Sequence, residues 1–211
     1  MANATVRIEG TGGQGVLVPG GYVLTAAHCI EWSGTGGMTL GDHYVERVGT
    51  KSGATFRLEP HAVEPVADIA ALSQAEADEN MTGARTFDEW QEATKAVPVS
   101  TVDLRQGTSR RVYVLAHTGA WLEGEVTRYS PGDLPSGRLW LVVDSEIEGG
   151  TSGGPIVDDA GHLVGVVSST VLGEAGESGG APFPVAHLAL PRWVWAKIAA
   201  AQGVRGRARG R

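Results

Sequence analysis

The chain is divided into short apolar runs, each a few residues long, by turn-forming residues. Gly occurs 31 times and Pro 10 times in 211 residues, and the glycines follow no G-X-Y repeat. Short apolar runs bounded by Gly, Pro, Asn and Asp are typical of an all-β sandwich or barrel. The pattern predicts strands at residues 5–9, 15–18, 22–26, 38–40, 44–50, 54–59, 69–72, 110–117, 121–129, 139–145, 155–157 and 163–170.

Two segments depart from the strand pattern and predict helices. Residues 86–93 predict a short helix in which Thr86 and Glu89 form a capping box. Residues 191–202 predict a second helix, with Pro191 at its first position and Gly203 as its stop. A polar stretch without strands precedes the first helix, so we place a connection between domains at about residues 73–98.

Charge and cysteine content exclude several classes of protein. The formal net charge is −7, which does not favour nucleic acid as a partner, although the last eight residues carry four Arg. With a single Cys, no internal disulfide can form. The sequence shows no signal peptide and no apolar run of membrane-spanning length. We therefore expect a soluble cytoplasmic protein, or a mature fragment whose signal has been removed, with no membrane partner and with a disordered tail at 204–211.

A glycine-rich segment near the start resembles a nucleotide-binding motif but does not fit one. Residues 10–15 (GTGGQG) match G-x-G-x-x-G and follow a predicted strand. A dinucleotide site needs a helix to begin there, whereas the next residues predict a strand, a turn and a second strand. Pro19 would also interrupt such a helix. We interpret these glycines as allowing two strands to approach closely.

Three short segments together predict chemistry. His28 follows an apolar strand, Asp68 precedes one, and Ser152 lies in a Gly-rich turn. A Ser hydroxyl needs an adjacent base, imidazole suits that role near neutral pH, and a carboxylate orients the imidazole. Asp68 is preferred as that carboxylate because apolar residues follow it at once. Its rivals are Asp42, Asp78, Asp88 and Asp103.

The glycines around Ser152 suit the same chemistry. A tetrahedral oxyanion needs backbone N–H donors that point into a cleft, and Gly allows the required backbone angles. We expect Gly150 and Ser152 to supply these donors. The remaining His residues show no spacing typical of a zinc site, so neither a metal nor a cofactor is expected.

Two of these segments resemble the signature blocks of the trypsin-like (chymotrypsin-fold) serine proteases. They are residues 25–29 (TAAHC) and 150–155 (GTSGGP), and the order His, Asp, Ser also agrees. The resemblance implies two antiparallel Greek-key β-barrels followed by a C-terminal α-helix. It places an N-terminal barrel at 1–85, a connection with the short helix at 86–98, a C-terminal barrel at 99–190, and the last helix at 191–203.

The resemblance also implies roles for particular residues. Ser152 would attack the scissile carbonyl, His28 would take and return its proton, and Asp68 would orient His28. The segment Ser168, Ser169 and Thr170 would pair with a protein or peptide substrate as an added strand. Thr151 stands where relatives activated by cleavage carry Asp, so activation by that route is not expected.

Specificity and two alternative functions stay open at this point. Glu146 near the base of the primary pocket would favour Lys or Arg at the cleaved position, but Ile147 could line the pocket instead. One alternative is a catalytically silent module of the same fold that binds peptides or a partner protein. The other is an adaptor acting through the Arg-rich tail. The sequence also leaves open a regulatory partner or a fused domain.

Overall fold

Six strands at the start of the chain close into an antiparallel barrel. The computed structural model describes residues 2–30, 46–65, 67–75, 82–100, 110–130, 138–168, 180–184 and 192–208. Strand β3 pairs with β6 rather than with β4, which is a Greek-key connection, and β1 pairs with β4 to close the barrel. The strands are β1 (Thr5–Ile8), β2 (Gln14–Val18), β3 (Tyr22–Thr25), β4 (Glu46–Thr50), β5 (Thr55–Glu64) and β6 (Ile69–Gln74).

The remaining six strands form a second antiparallel sheet in the order β11-β10-β7-β8-β9-β12. Its end strands β11 and β12 approach each other, so the sheet curls round its own apolar core. With the first barrel it makes the mostly β, two-unit fold that the resemblance implied. The strands are β7 (Arg110–Leu115), β8 (Trp121–Ser130), β9 (Arg138–Val143), β10 (Pro155–Asp158), β11 (Leu163–Val166) and β12 (Gly180–Pro184).

Strand positions agree closely with the apolar pattern, with three exceptions. The predicted strand at 38–40 lies outside the described residues. Strand β5 extends to Glu64 because its register shifts between Pro60 and Ala62, so a bulge absorbs the proline. Strand β12 was not predicted because it contains two prolines. The two prolines are tolerated because β12 lies at the end of the sheet and forms hydrogen bonds only with β9.

The first helix, α1 (Thr82–Ala93), begins one turn earlier than predicted. Thr86 is therefore inside the helix, and the predicted capping box with Glu89 is wrong. The helix covers one end of the first barrel, where Phe87 and Trp90 contact the ring of Phe56, with centroids 5.1 and 5.2 Å apart. Packing of these aromatic rings stabilises the helix in this position.

The last helix, α2 (Arg192–Ala208), runs past the stop that was predicted at Gly203. Val194 and Ile198 are buried in the core of the first barrel. The side chain of Gln202 accepts a hydrogen bond from the Val99 N–H (2.9 Å), which anchors the helix near its end. A helical Gly costs only about 1 kcal/mol relative to Ala, so this packing carries the helix through Gly203. Residues 204–208, predicted to be disordered, are helical, and 209–211 lie outside the described residues.

Candidate active site

His28 lies in a single 3₁₀ turn, Ala27–Cys29, directly after β3. The apolar residues on either side of it are buried, whereas its own imidazole is about half exposed. The turn therefore presents the ring at the surface of the barrel while its neighbours hold the backbone in the core. Both the main chain and the side chain of His28 bind Asp68: the N–H lies 2.9 Å from Oδ1, and Nδ1 lies 2.8 Å from Oδ2.

Asp68 occupies the tight turn between β5 and β6. Its N–H donates to the carbonyl of Pro65 (3.2 Å), and its φ is 55°, the left-handed region. Among the described residues it is the only non-glycine with a positive φ. Such a conformation costs about 1–2 kcal/mol and is typically kept where a site requires it. Here it turns the carboxylate back towards His28.

A residue from the second sheet also binds this carboxylate. Ser168, which follows β11, donates its hydroxyl to Asp68 Oδ2 at 2.5 Å. Sequence reasoning assigned Ser168 to the substrate-binding strand and did not foresee this contact, since the two residues are 100 positions apart. Ser169 and Thr170, the rest of that predicted strand, lie outside the described residues. The Asp68 carboxylate thus accepts three hydrogen bonds and links the two units.

The pKa values of this pair are shifted in opposite directions. Burial of Asp68 tends to raise its pKa, but the hydrogen bonds from His28 and Ser168 outweigh burial, and the pKa of Asp68 is lowered. The hydrogen bond to Asp68, and secondly the neighbouring Cys29, raise the pKa of His28 above the ordinary value of 6.5, against the opposing effect of burial. The pair therefore favours a charged carboxylate beside an imidazole of increased basicity.

Ser152 is half-buried in a tight turn that leads into β10. The turn is closed by the Gly154 N–H, which donates to the Thr151 carbonyl (2.8 Å). It is tied to the strand behind it by the Gly153 N–H, which donates to Val167 (2.7 Å). In the described part of the chain, the N–H groups of Gly150 and Ser152 have no hydrogen-bond acceptor. They are therefore available to an incoming oxygen atom.

Gln14 on β2 fastens this turn to the first barrel. Its N–H donates to the Ser152 carbonyl (2.8 Å), and its own carbonyl accepts the Thr25 hydroxyl (2.6 Å), three residues before His28. Gly153 packs so closely here that a Cβ on it would lie 2.5 Å from Thr25 Oγ1. In the sequence Gln14 is only one position of a glycine-rich motif. Nothing in its local pattern indicated that it would hold the Ser152 turn. The close approach of strands that was predicted for the glycine-rich segment at residues 10–15 is confirmed.

The structure brings Ser152 and His28 to neighbouring elements without a hydrogen bond between them. Across the described residues, the polar neighbour of His28 Nε2 is Cys29 Sγ, at 3.6 Å. Cys29 is a buried free thiol, and a Cβ at Gly13 would lie 2.5 Å from its sulfur and 3.2 Å from the Ser152 carbonyl. Gly13 thus lets the Ala27–Cys29 turn and the Ser152 turn pack against each other.

The two candidates for the primary specificity pocket occupy different environments. Glu146 is exposed to solvent, whereas Ile147 is half-buried and packs against the core of the second sheet. Glu146 is exposed, so water screens its carboxylate and weakens any attraction for a basic substrate side chain. Preference for Lys or Arg stays a prediction.

The described residues contain neither a group of metal ligands nor a helix able to span a membrane. Within those ranges, no three or more His, Cys, Asp or Glu side chains are grouped so as to hold a metal ion. No helix there has the length and apolar character needed to cross a membrane.

Comparisons with known proteins agree with this fold. The model of the trypsin-like peptidase domain matches residues 13–166, and the chain belongs to that family. Two structures of the Rv3671c protease from M. tuberculosis H37Rv are similar to it, both in an inactive form. One, a Ser-to-Ala mutant, has a TM-score of 0.57 at 17% identity, over 95% of this chain and 89% of that one. The other has a TM-score of 0.56 at 17% identity, over 89% and 86%.

The HtrA-type protease AlgW, solved with a decapeptide, is a further structural relative. Its TM-score is 0.54 at 16% identity, over 92% of this chain and 51% of that one. At such identities these structures establish a shared fold, and the family match adds that this is a protease domain. No curated protein sequence matches the chain.

Proposed function

We propose that this protease domain is a serine endopeptidase that works through Ser152, His28 and Asp68. The observation that carries the proposal is the Asp68 carboxylate, which accepts hydrogen bonds from His28 Nδ1 and from Ser168 on the other unit. Such a carboxylate fixes the imidazole so that its Nε2 can accept a proton, and it stabilises the imidazolium that results. The cleft between the two units then receives a protein or peptide substrate.

The reaction follows from these positions. Ser152 Oγ attacks the carbonyl carbon of the scissile bond while His28 Nε2 takes its proton. The N–H groups of Gly150 and Ser152 stabilise the oxyanion. When the intermediate collapses, His28 gives the proton to the leaving amine and an acyl-enzyme remains. Water, activated by the same imidazole, then hydrolyses the ester.

The contact between nucleophile and base forms, on this proposal, when substrate binds. Hydrogen bonds between catalytic groups are commonly long or misaligned without substrate and tighten in the complex. We expect rotation of the Ser152 side chain, together with movement of the His28 ring away from Cys29 Sγ, to form that contact. The Gln14 bond to the Ser152 carbonyl keeps the backbone in place during that movement.

A fluorophosphonate probe tests the nucleophile directly. We expect wild type to be labelled and Ser152→Ala and His28→Ala to be unlabelled, with near-native circular dichroism in all three. Cys29→Ala is the matched control because its thiol is the other nucleophile next to the imidazole, and it should still be labelled. Labelling that survives in Ser152→Ala would contradict the assignment. Absent labelling together with tight peptide binding would favour the non-catalytic module.

A panel of peptides with a fluorogenic amine as leaving group measures the rate and the preference at the cleaved position. Removing Ser152 or His28 should lower kcat by about 10⁶, as in other enzymes that use such a triad. Faster cleavage after Lys or Arg would support Glu146 as part of the primary pocket. Faster cleavage after apolar residues would favour Ile147 instead.

A further inference from the structure

A cavity lies beside the Ser152 turn, where Gly149 and Gly150 form part of its wall. Its volume is about 500 Å³, within the range of sites that hold small ligands or side chains. Gly12, Gln14 and Gly150 line it, so it borders both the residue that binds the Ser152 carbonyl and one predicted oxyanion donor. Neither Ser168 nor Glu146 lines it. It therefore borders the Ser152 turn and includes neither of these two residues predicted to bind substrate.

The charged side chains that line the cavity are basic. Arg7 projects from β1, where it pairs directly with Gln14 on β2, and directly opposite residues of an antiparallel pair share one face of the sheet. Lys51 comes from the turn after β4. A Cβ at Gly119 would lie 3.2 Å from Lys51 Nζ, so this ammonium reaches across to the second unit. Neither cation has a carboxylate within ion-pair distance in the described residues.

Carboxylates stand near this cavity in two places but do not line it. Glu148 Oε2 lies 3.7 Å from Nε2 of His117, and His117 is itself a lining residue. Glu9 approaches Gly49, where a Cβ would lie 3.5 Å from its Oε1. Since acidic residues are absent from the described lining, Arg7 and Lys51 make the cavity electropositive.

We propose that this cavity receives the substrate residues on the C-terminal side of the scissile bond and that Arg7 and Lys51 select acidic side chains there. The inference rests on the proposed function. On the proposed function the acyl half of the substrate pairs with the segment that begins at Ser168, which does not line the cavity, so we assign the cavity to the leaving half. A Glu or Asp in that half pairs with two cations that otherwise face water.

The test varies only the leaving half of the substrate. The acyl sequence of the best peptide from the panel above is placed in an internally quenched peptide, with a fluorophore at its N-terminus, either Glu-Glu or Gln-Gln after the cleaved bond, and a quencher at its C-terminus. We expect wild type to cleave the Glu peptide with about 5- to 10-fold higher kcat/KM, the gain typical of two partly exposed ion pairs. The ratio should approach 1 in Arg7→Gln/Lys51→Gln and should fall as ionic strength rises.

Lys95→Gln is the matched control because Lys95 is an exposed cation that does not line the cavity. Its ratio should equal that of wild type. The inference is overturned if wild type shows no preference for Glu, or if the preference survives in the double variant or at high salt. Hydrolysis of the original fluorogenic peptide without any Glu preference removes this inference alone. No hydrolysis of any peptide removes the proposed function and the inference with it.

Discussion

Replacing Gly153 by Ala should destabilise the fold by forcing the Ser152 turn away from the first barrel. The new Cβ would overlap the Gln14 carbonyl oxygen and lie 2.5 Å from Thr25 Oγ1, and these two groups hydrogen-bond to each other. Backbone rather than a flexible side-chain end is in the way, so the turn itself must move. The φ of Gly153 is +76°, which adds a conformational cost for any residue with a Cβ.

These two effects set the expected magnitude. A non-glycine residue in the left-handed region costs about 1–2 kcal/mol, and overpacking a closely packed site costs about 1–3 kcal/mol. The free energy of unfolding should therefore fall by about 2–5 kcal/mol. For a chain of this size each kcal/mol lowers Tm by about 2–4 °C, so a decrease of roughly 5–20 °C is expected.

Urea unfolding followed by the fluorescence of the six Trp residues measures this change. Gly149→Ala is the matched control in the same segment. It has no positive φ, and a Cβ there meets nothing within 4 Å, so its stability should stay within about 0.5 kcal/mol of wild type. Equal unfolding midpoints for the two variants would refute the argument that Gly153 is required by the contact with Gln14.

Three further perturbations test separate parts of the structure. Asp68→Asn should lower kcat by about 10⁴ and move the midpoint of the pH–kcat/KM curve to lower pH, because His28 acts as a base only when neutral and Asp68 raises its pKa; an unmoved midpoint would contradict that cause. Ile198→Ala should cost about 2–5 kcal/mol in urea unfolding because Ile198 is buried, whereas Ala200→Ser on the exposed face should cost under about 1 kcal/mol. The Cys29 thiol should react with an aromatic disulfide reagent only on unfolding, and fast reaction in the native protein would be incompatible with its burial.

Most strands were predictable because their residues satisfy a local rule. Short apolar runs between Gly, Pro and Asp residues gave the positions of eleven of the twelve strands found in the described residues, to within a few residues at their ends. Strand β12 escaped because its two prolines are acceptable only at a sheet edge, and the position of a strand within a sheet is not a local property. The start of α1 escaped for a similar reason, since the rings of Phe87 and Trp90 pack on β5 whatever cap precedes them.

The amino-acid sequence by itself determined the fold class, the family resemblance and the three side chains proposed for the chemistry. It could do so because each of the segments TAAHC and GTSGGP is continuous in the chain, and few other functions use those residue types in that order. Only the tertiary structure decided that Ser168 binds Asp68, that Gln14 holds the Ser152 turn, and that Arg7 and Lys51 face one cavity. Each of these is a contact between residues far apart in the chain, and such contacts depend on how two folded units meet.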